Sequence, residues 1–134
     1  LGNHVILANA VNMAGHVTIQ DWAIVGGMTP IHQFVRIGAH AFVGGGSRIT
    51  KDIPPYCRAA GSPPKLYGLN SVGLERRGFS LDVRRALKQA YREMFHSDKT
   101  ISEAVQKAAL EPNQVPEVGH LIKFIQDSER GVTT

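Results

Sequence analysis

A period of six residues runs through the first third of the chain and restricts its fold more than any other feature. Stepping by six from Leu1 meets Leu1, Leu7, Met13, Ile19, Val25, Ile31, Ile37, Val43 and Ile49, nine large aliphatic residues without a miss. If a third of positions were aliphatic, such a run would arise by chance about once in 10⁴ to 10⁵ trials. The positions four further on, from Val5 and Val11 to Ser47 and Ile53, are all small or β-branched, and Gly or Ala often follows the aliphatic. Neither the 3.6 period of a helix nor the period of 2 of a half-buried strand gives this pattern, but short strands separated by turns do. Each hexapeptide becomes one side of a prism with its aliphatic pointing inward, and three sides close a coil. Leu1, Ile19 and Ile37 then form one inward column, Leu7, Val25 and Val43 a second, and Met13, Ile31 and Ile49 a third. The expected fold is a β-solenoid, a parallel β-helix of about three coils over residues 1–56. Spacing is neutral on its hand, although the general crossover rule favours right-handed winding. A solenoid needs capped ends, and this chain starts in phase at Leu1 without Met or a polar cap. The expectation is that Leu1 lies inside a longer solenoid, or that a partner covers its first coil.

The register stops at Ile53-Pro54-Pro55-Tyr56, because proline cannot donate to a sheet ladder and restricts the residue before it. Charge changes at the same place. Residues 1–53 carry only Arg36, Arg48, Lys51, Asp21 and Asp52, whereas residues 54–134 carry twelve basic and nine acidic side chains. Residues 57–79 read as a Gly- and Pro-punctuated connection. Residues 80–134 read as a C-terminal helical domain of about three helices. One is opened by Ser80 with Val83, Leu87, Ala90, Tyr91 and Met94 on a stripe, and one by the capping pair Thr100 and Glu103. The third follows Pro116, with a frayed tail after Ser128.

Composition removes several classes. The single cysteine, Cys57, allows neither an internal disulfide framework nor a cysteine zinc site. No apolar run reaches the ~18 residues needed to span a bilayer, so no stable membrane insertion is expected and a soluble, cytoplasmic protein is. The net charge of +4 suggests an acidic partner. The basic residues are interspersed with acids and lack an aromatic platform, which argues against nucleic acid. His4 and His40 share a column two coils apart, about 9.6 Å, too far to share a metal ion within one chain, so no metal site is expected.

The segments between the aliphatics carry a sharper signal. Ile6-Leu7-Ala8-Asn9, Ala14-Gly15-His16-Val17, Gly26-Gly27-Met28-Thr29, His32-Gln33-Phe34, Ile37-Gly38-Ala39-His40, Asp52-Ile53-Pro54-Pro55-Tyr56 and Leu74-Glu75-Arg76-Arg77-Gly78-Phe79 occur in this order. The repeat resembles the hexapeptide-repeat acyltransferases, and these segments together resemble the C-terminal part of the acyl-carrier-protein:UDP-N-acetylglucosamine O-acyltransferases of lipid A synthesis. The resemblance implies left-handed winding, a homotrimer with active sites between neighbouring solenoids, and no cofactor. It also implies transfer of an acyl group, often 3-hydroxylated, from acyl carrier protein to the sugar 3-hydroxyl of UDP-N-acetylglucosamine. By the same resemblance, the general-base histidine lies upstream of Leu1, so these 134 residues should be inactive alone. Gly15 lines the oxyanion site, His16 flanks the base, and His32 and Gln33 lie beside the sugar nucleotide. Gly27 and Gly45 leave room for the acyl chain, while Asn70, Arg76 and Arg77 meet the UDP moiety. Two departures from the family pattern stand out: Val72 replaces a usual acidic residue, and Ser62-Pro63-Pro64 replaces an Asn-His-containing stretch.

Each of these residues has a plainer reading. His16 suits a surface turn and His32 a hydrogen-bonded corner. Gly27 and Gly45 suit turns, and Arg76 and Arg77 suit the solvated start of a helix. Two other functions fit the same pattern, a hexapeptide acetyltransferase using acetyl-CoA and a non-catalytic trimerisation and capping module.

Overall fold

The structure is a computed structural model that describes residues 1–112 and 114–134. Seven two-residue strands form the sides of a prism: β1 (Ile6–Leu7), β2 (Asn12–Met13), β3 (Thr18–Ile19), β4 (Ile24–Val25), β5 (Pro30–Ile31), β6 (Arg36–Ile37) and β7 (Phe42–Val43). Each pairs in parallel with the strand 18 residues away. Leu7 lies against Val25 and Val25 against Val43, Met13 against Ile31, and Ile19 against Ile37. The inward columns are therefore those the period of six predicts. Their aliphatic side chains fill the prism, with Val25, Ile37, Val43 and Ile49 fully buried.

The corners follow the same period. His4, Ala10, His16, Trp22, Met28, Phe34 and His40 all adopt positive φ, between 54° and 67°. The left-handed conformation costs a non-glycine residue about 1–2 kcal/mol, so something must hold each corner in it. Hydrogen bonds between successive turns do so. The N–H of Trp22 donates to the Asn3 carbonyl at 2.9 Å, that of His40 to Asp21 at 3.0 Å, and that of Tyr56 to Ala39 at 2.8 Å.

The last turn is short. Ile53 bridges to Ile37, and Tyr56, also at positive φ, stacks under His40 at 5.9 Å. Both steps are 16 residues where earlier ones, Ile31 to Ile49 included, are 18, so the two residues are lost between Ile49 and Ile53, ahead of Pro54-Pro55. The segment 57–79 is not an irregular connection. β8 (Cys57–Gly61) extends the first sheet below β7, with Phe42 against Arg58 and Val43 against Ala59. β9 (Pro64–Leu69) then pairs antiparallel with β8, giving the order β1-β4-β7-β8-β9. A solenoid's last strand leaves a row of unpaired N–H and C=O groups, and this hairpin covers them.

Among the described residues four helices follow, the three expected over residues 80–134 and one more in the segment read as a connection. The additional one is α1 (Ser71–Arg76), started by Asn70, whose side chain accepts from the Gly73 N–H. α2 (Leu81–Phe95) and α3 (Ile101–Ala109) begin where their caps predict, with Ser80 accepting from Val83 N–H and Thr100 from Glu103 N–H. α4 (Pro116–Gln126) opens on its proline. Leu74, Leu87, Met94, Val105, Leu121 and Tyr56 form a second core.

The tail is docked rather than frayed. Asp52 is almost fully buried and bridges to Val132, its N–H donating to Gly131 while Thr133 N–H donates to its carbonyl. Its carboxylate accepts from Arg36 N–H at 2.8 Å and from the Ser128 hydroxyl at 2.6 Å. The Gly-Val-Thr-Thr segment is held by this backbone pairing, and Ser128 by the buried carboxylate, which needs hydrogen-bond partners.

Candidate functional site

The three corners carry different chemistry. The corner between the second and third sheets holds Gly15, His16, His32 and Gln33. His16 stacks on Phe34 with centroids 5.1 Å apart, and a Cβ on Gly15 would lie 3.8 Å from Gln33 Nε2. His32 is half-buried, and its N–H donates to Ile49. The corner between the first and second sheets holds Gly27 and Gly45. Neither has positive φ, so conformational freedom does not explain them. Close approach does: a Cβ on Gly27 would lie 3.0 Å from the Asn9 carbonyl, and one on Gly45 3.1 Å from the Gly27 carbonyl. At these two positions successive turns pack backbone to backbone, while the Met28 side chain projects from the same corner.

The remaining corner is an aromatic ladder. His4 stacks on Trp22 at 4.0 Å, Trp22 on His40 at 6.3 Å, and His40 on Tyr56 at 5.9 Å, so the indole fills the space between the two histidines. Phe79 meets His40 edge-on at 4.8 Å. Burial lowers the His40 pKa; the Arg77 cation lowers it further, and Asp21 works against both. His120 of α4 lies edge-on to Tyr56 and 3.2 Å from Gln20 Oε1. That oxygen also accepts from Ala39 N–H, so it is an acceptor here and the His120 Nε2 carries the proton. Burial, then Arg36, lowers the His120 pKa, while burial and Glu117 push the Tyr56 phenol up to about 12.

Beside this ladder a cleft of about 520 Å³ separates the outward face of the first sheet, Ile24, Phe42 and Arg58, from β9 and α1. Four cationic side chains line it, Arg58, Arg76, Arg77 and Lys88, and no carboxylate does. The Arg58 guanidinium donates to the Tyr67 carbonyl, and the Arg77 guanidinium carbon lies 3.9 Å from the Trp22 ring centroid. Asn70 is clamped in place, its oxygen capping α1 and its amide donating to the His40 carbonyl at 3.1 Å. Val72 is an exposed apolar residue on the rim. Such a cleft suits an anion with an attached flat or apolar group.

Asn70, Arg76 and Arg77 thus meet in one cleft, Gly15, His16, His32 and Gln33 share one corner, and Gly27 and Gly45 lie on another. The spacing of six had marked neither Trp22 nor Arg58 as part of a site. Trp22 could have been found midway between His4 and His40 at intervals of 18, whereas Arg58 enters only through the shortened turn. Cys57 is fully buried, and burial pushes its thiol pKa up. Among the described residues no three His, Cys, Asp or Glu side chains are placed to hold a metal ion, and no helix is long and apolar enough to cross a membrane.

A family described as UDP N-acetylglucosamine O-acyltransferase, domain 2, matches residues 52–133. The acyl-[acyl-carrier-protein]–UDP-N-acetylglucosamine O-acyltransferase of Burkholderia lata is 48% identical over 98% of this chain and 52% of its own length. The protein of the same name from Nautilia profundicola is 46% identical over 98% of this chain and 51% of its own. The crystal structure of UDP-N-acetylglucosamine O-acyltransferase from Moraxella catarrhalis superimposes with a TM-score of 0.93 at 38% identity, covering 100% of this chain and 52% of that one. The chain spans about half the length of these relatives.

Proposed function

The chain belongs to the UDP-N-acetylglucosamine O-acyltransferase family, and from that premise we propose that it is the C-terminal part of an enzyme acylating UDP-N-acetylglucosamine from acyl carrier protein. The solenoid, about three left-handed coils in this reading, acts in the cytoplasm without a cofactor. The observation that carries the proposal is the cleft, in which Asn70, Arg76 and Arg77 converge with two further cations and no carboxylate, as a nucleoside diphosphate requires.

The corners support the assembly. Each side of the prism is six residues, roughly 15–20 Å of near-extended chain, so side chains on different corners of one solenoid do not converge on one reacting atom. In this reading His32 and Gln33 on one corner and the cleft on another act together between neighbouring copies, in the homotrimer that the family resemblance implies. Ile6, Ile24 and Phe42 offer an outward apolar stripe for such packing. In the reaction a histidine outside these 134 residues takes the proton of the sugar 3-hydroxyl as its oxygen attacks the acyl thioester carbonyl. The Gly15 N–H stabilises the resulting oxyanion, His16 flanks the base, and collapse breaks the C–S bond, the departing carrier sulfur taking the proton back from the base. His32 and Gln33 hold the sugar nucleotide. The absence of side chains at Gly27 and Gly45 leaves space for the acyl chain.

The test is turnover of 3-hydroxyacyl carrier protein with UDP-N-acetylglucosamine, comparing these 134 residues with a longer protein in which they are joined to the N-terminal half of the Burkholderia lata relative. Turnover by the longer protein alone is expected. Turnover by these residues alone would overturn the assignment of the base, and turnover with acetyl-CoA alone would overturn the assignment of the donor.

A further inference from the structure

Arg76 and Arg77 are adjacent in sequence but held very differently. Both are exposed, and neither guanidinium has a hydrogen bond or ion pair among the described residues; Arg76 lies in the last turn of α1 with no ring beneath it. Arg77, the C-cap of that helix, stacks on the face of Trp22 at 3.9 Å. The indole is itself fixed. It is half-buried at a corner with φ of 64°, parallel within 12° to His4 on one side and within 13° to His40 on the other.

A guanidinium binds a phosphate through its N–H edge, and it stacks on a ring through its face, so the two contacts are compatible. Arginine also loses rotamer freedom when it closes on an anion, and a ring that already restrains it removes part of that loss. A lone exposed arginine such as Arg76 lacks this advantage. We propose that Trp22 is a positioning residue: it holds the Arg77 guanidinium by its face, leaving the N–H edge for the diphosphate of the sugar nucleotide in the cleft. The proposal deepens the reading above and rests on it. Arg77 is then the preset contact and Arg76 closes afterwards.

The experiment measures dissociation constants of UDP, and of uridine by competition, in the same longer protein. The variants are Trp22→Leu, which keeps apolar bulk without a ring quadrupole, Trp22→Phe, which keeps an aromatic shelf, and Arg77→Lys, which keeps the charge without the plane. From the range of cation–π energies, Trp22→Leu and Arg77→Lys are each expected to weaken UDP about tenfold, and Trp22→Phe about threefold or less. The double variant Trp22→Leu/Arg77→Lys should lose no more than either single change, because both remove one contact. Uridine binding should not change, and KM for the sugar nucleotide should rise while kcat stays within about twofold. Equal weakening of uridine and UDP by Trp22→Leu would overturn the proposal, as would wild-type UDP affinity in Trp22→Leu or in Arg77→Lys. Should Trp22→Leu fail to fold, a loss in Arg77→Lys with Trp22→Phe near wild type still supports it. Failure of the wild-type enzyme to bind UDP would instead remove the sugar-nucleotide reading and this proposal with it.

Discussion

The solenoid and the helical unit solve one problem, burying apolar side chains, by different means. In the solenoid a residue's environment follows from its position in a repeat of six and from the residues 18 positions away. Ile37 is buried because Ile19 and Ile53 lie on either side of it. In the helical unit Leu87, Val105 and Leu121 meet from three helices whose order of packing no period announces. One core is a line and the other a cluster, so damage should spread differently in each.

The sharpest way to break that contrast is Ile37→Ala in the column. The side chain is fully buried, and the change is expected to cost about 2–5 kcal/mol. Denaturant unfolding followed by far-UV circular dichroism, with amide exchange read separately on α2 and β4, measures it. Loss of protection confined to the solenoid is expected if the two cores are independent, and equal loss in both would make them one cooperative unit.

Asp52→Ala strikes the tie between the regions. It strands the Arg36 N–H and the Ser128 hydroxyl, with an expected cost of about 2–4 kcal/mol. Exchange protection at Asp52 and Thr133 should fall while that of α2 stays.

The smallest effect should come from pH at the seam. His40, facing Arg77, Asp21 and His120, and His120, facing Arg36, both have folded pKa values below the ordinary 6.5. Below about pH 6.5 the unfolded chain takes up protons that the folded chain does not, so stability falls as pH drops from there toward the folded values. The melting temperature should decline by a few degrees between pH 7 and 5. His120→Gln, which can still donate to Gln20, should flatten part of that decline.

The same contrast explains what could be read in advance. Columns such as Met13, Ile31 and Ile49 were legible because the signal repeats and each hit supports the next. The caps at Ser80 and Thr100 were legible because their physics is local. The shortened turn was not, since Pro54-Pro55 reads equally well as an ending. α1 was hidden because only six residues carry it. The docked tail was hidden because Asp52 meets Ser128 across 76 residues of chain. Within the site, Arg76 and Arg77 looked equivalent, and only the Trp22 face beneath one of them separates the two.

The corner hydrogen bonds also fix how the molecule can change in length. Each full turn of 18 residues advances the axis by one strand spacing, ~4.8 Å, and returns every corner to its own edge. An insertion of 18 residues therefore carries the helical unit outward without turning it. An insertion of six residues swings it a third of the way round, setting the cleft cations against a different face. An insertion of one residue moves every following aliphatic out of its column. Changes of length that keep every column and corner in register therefore come in whole coils, like a screw lengthened only by complete threads, and the 16-residue last turn marks where that register ends.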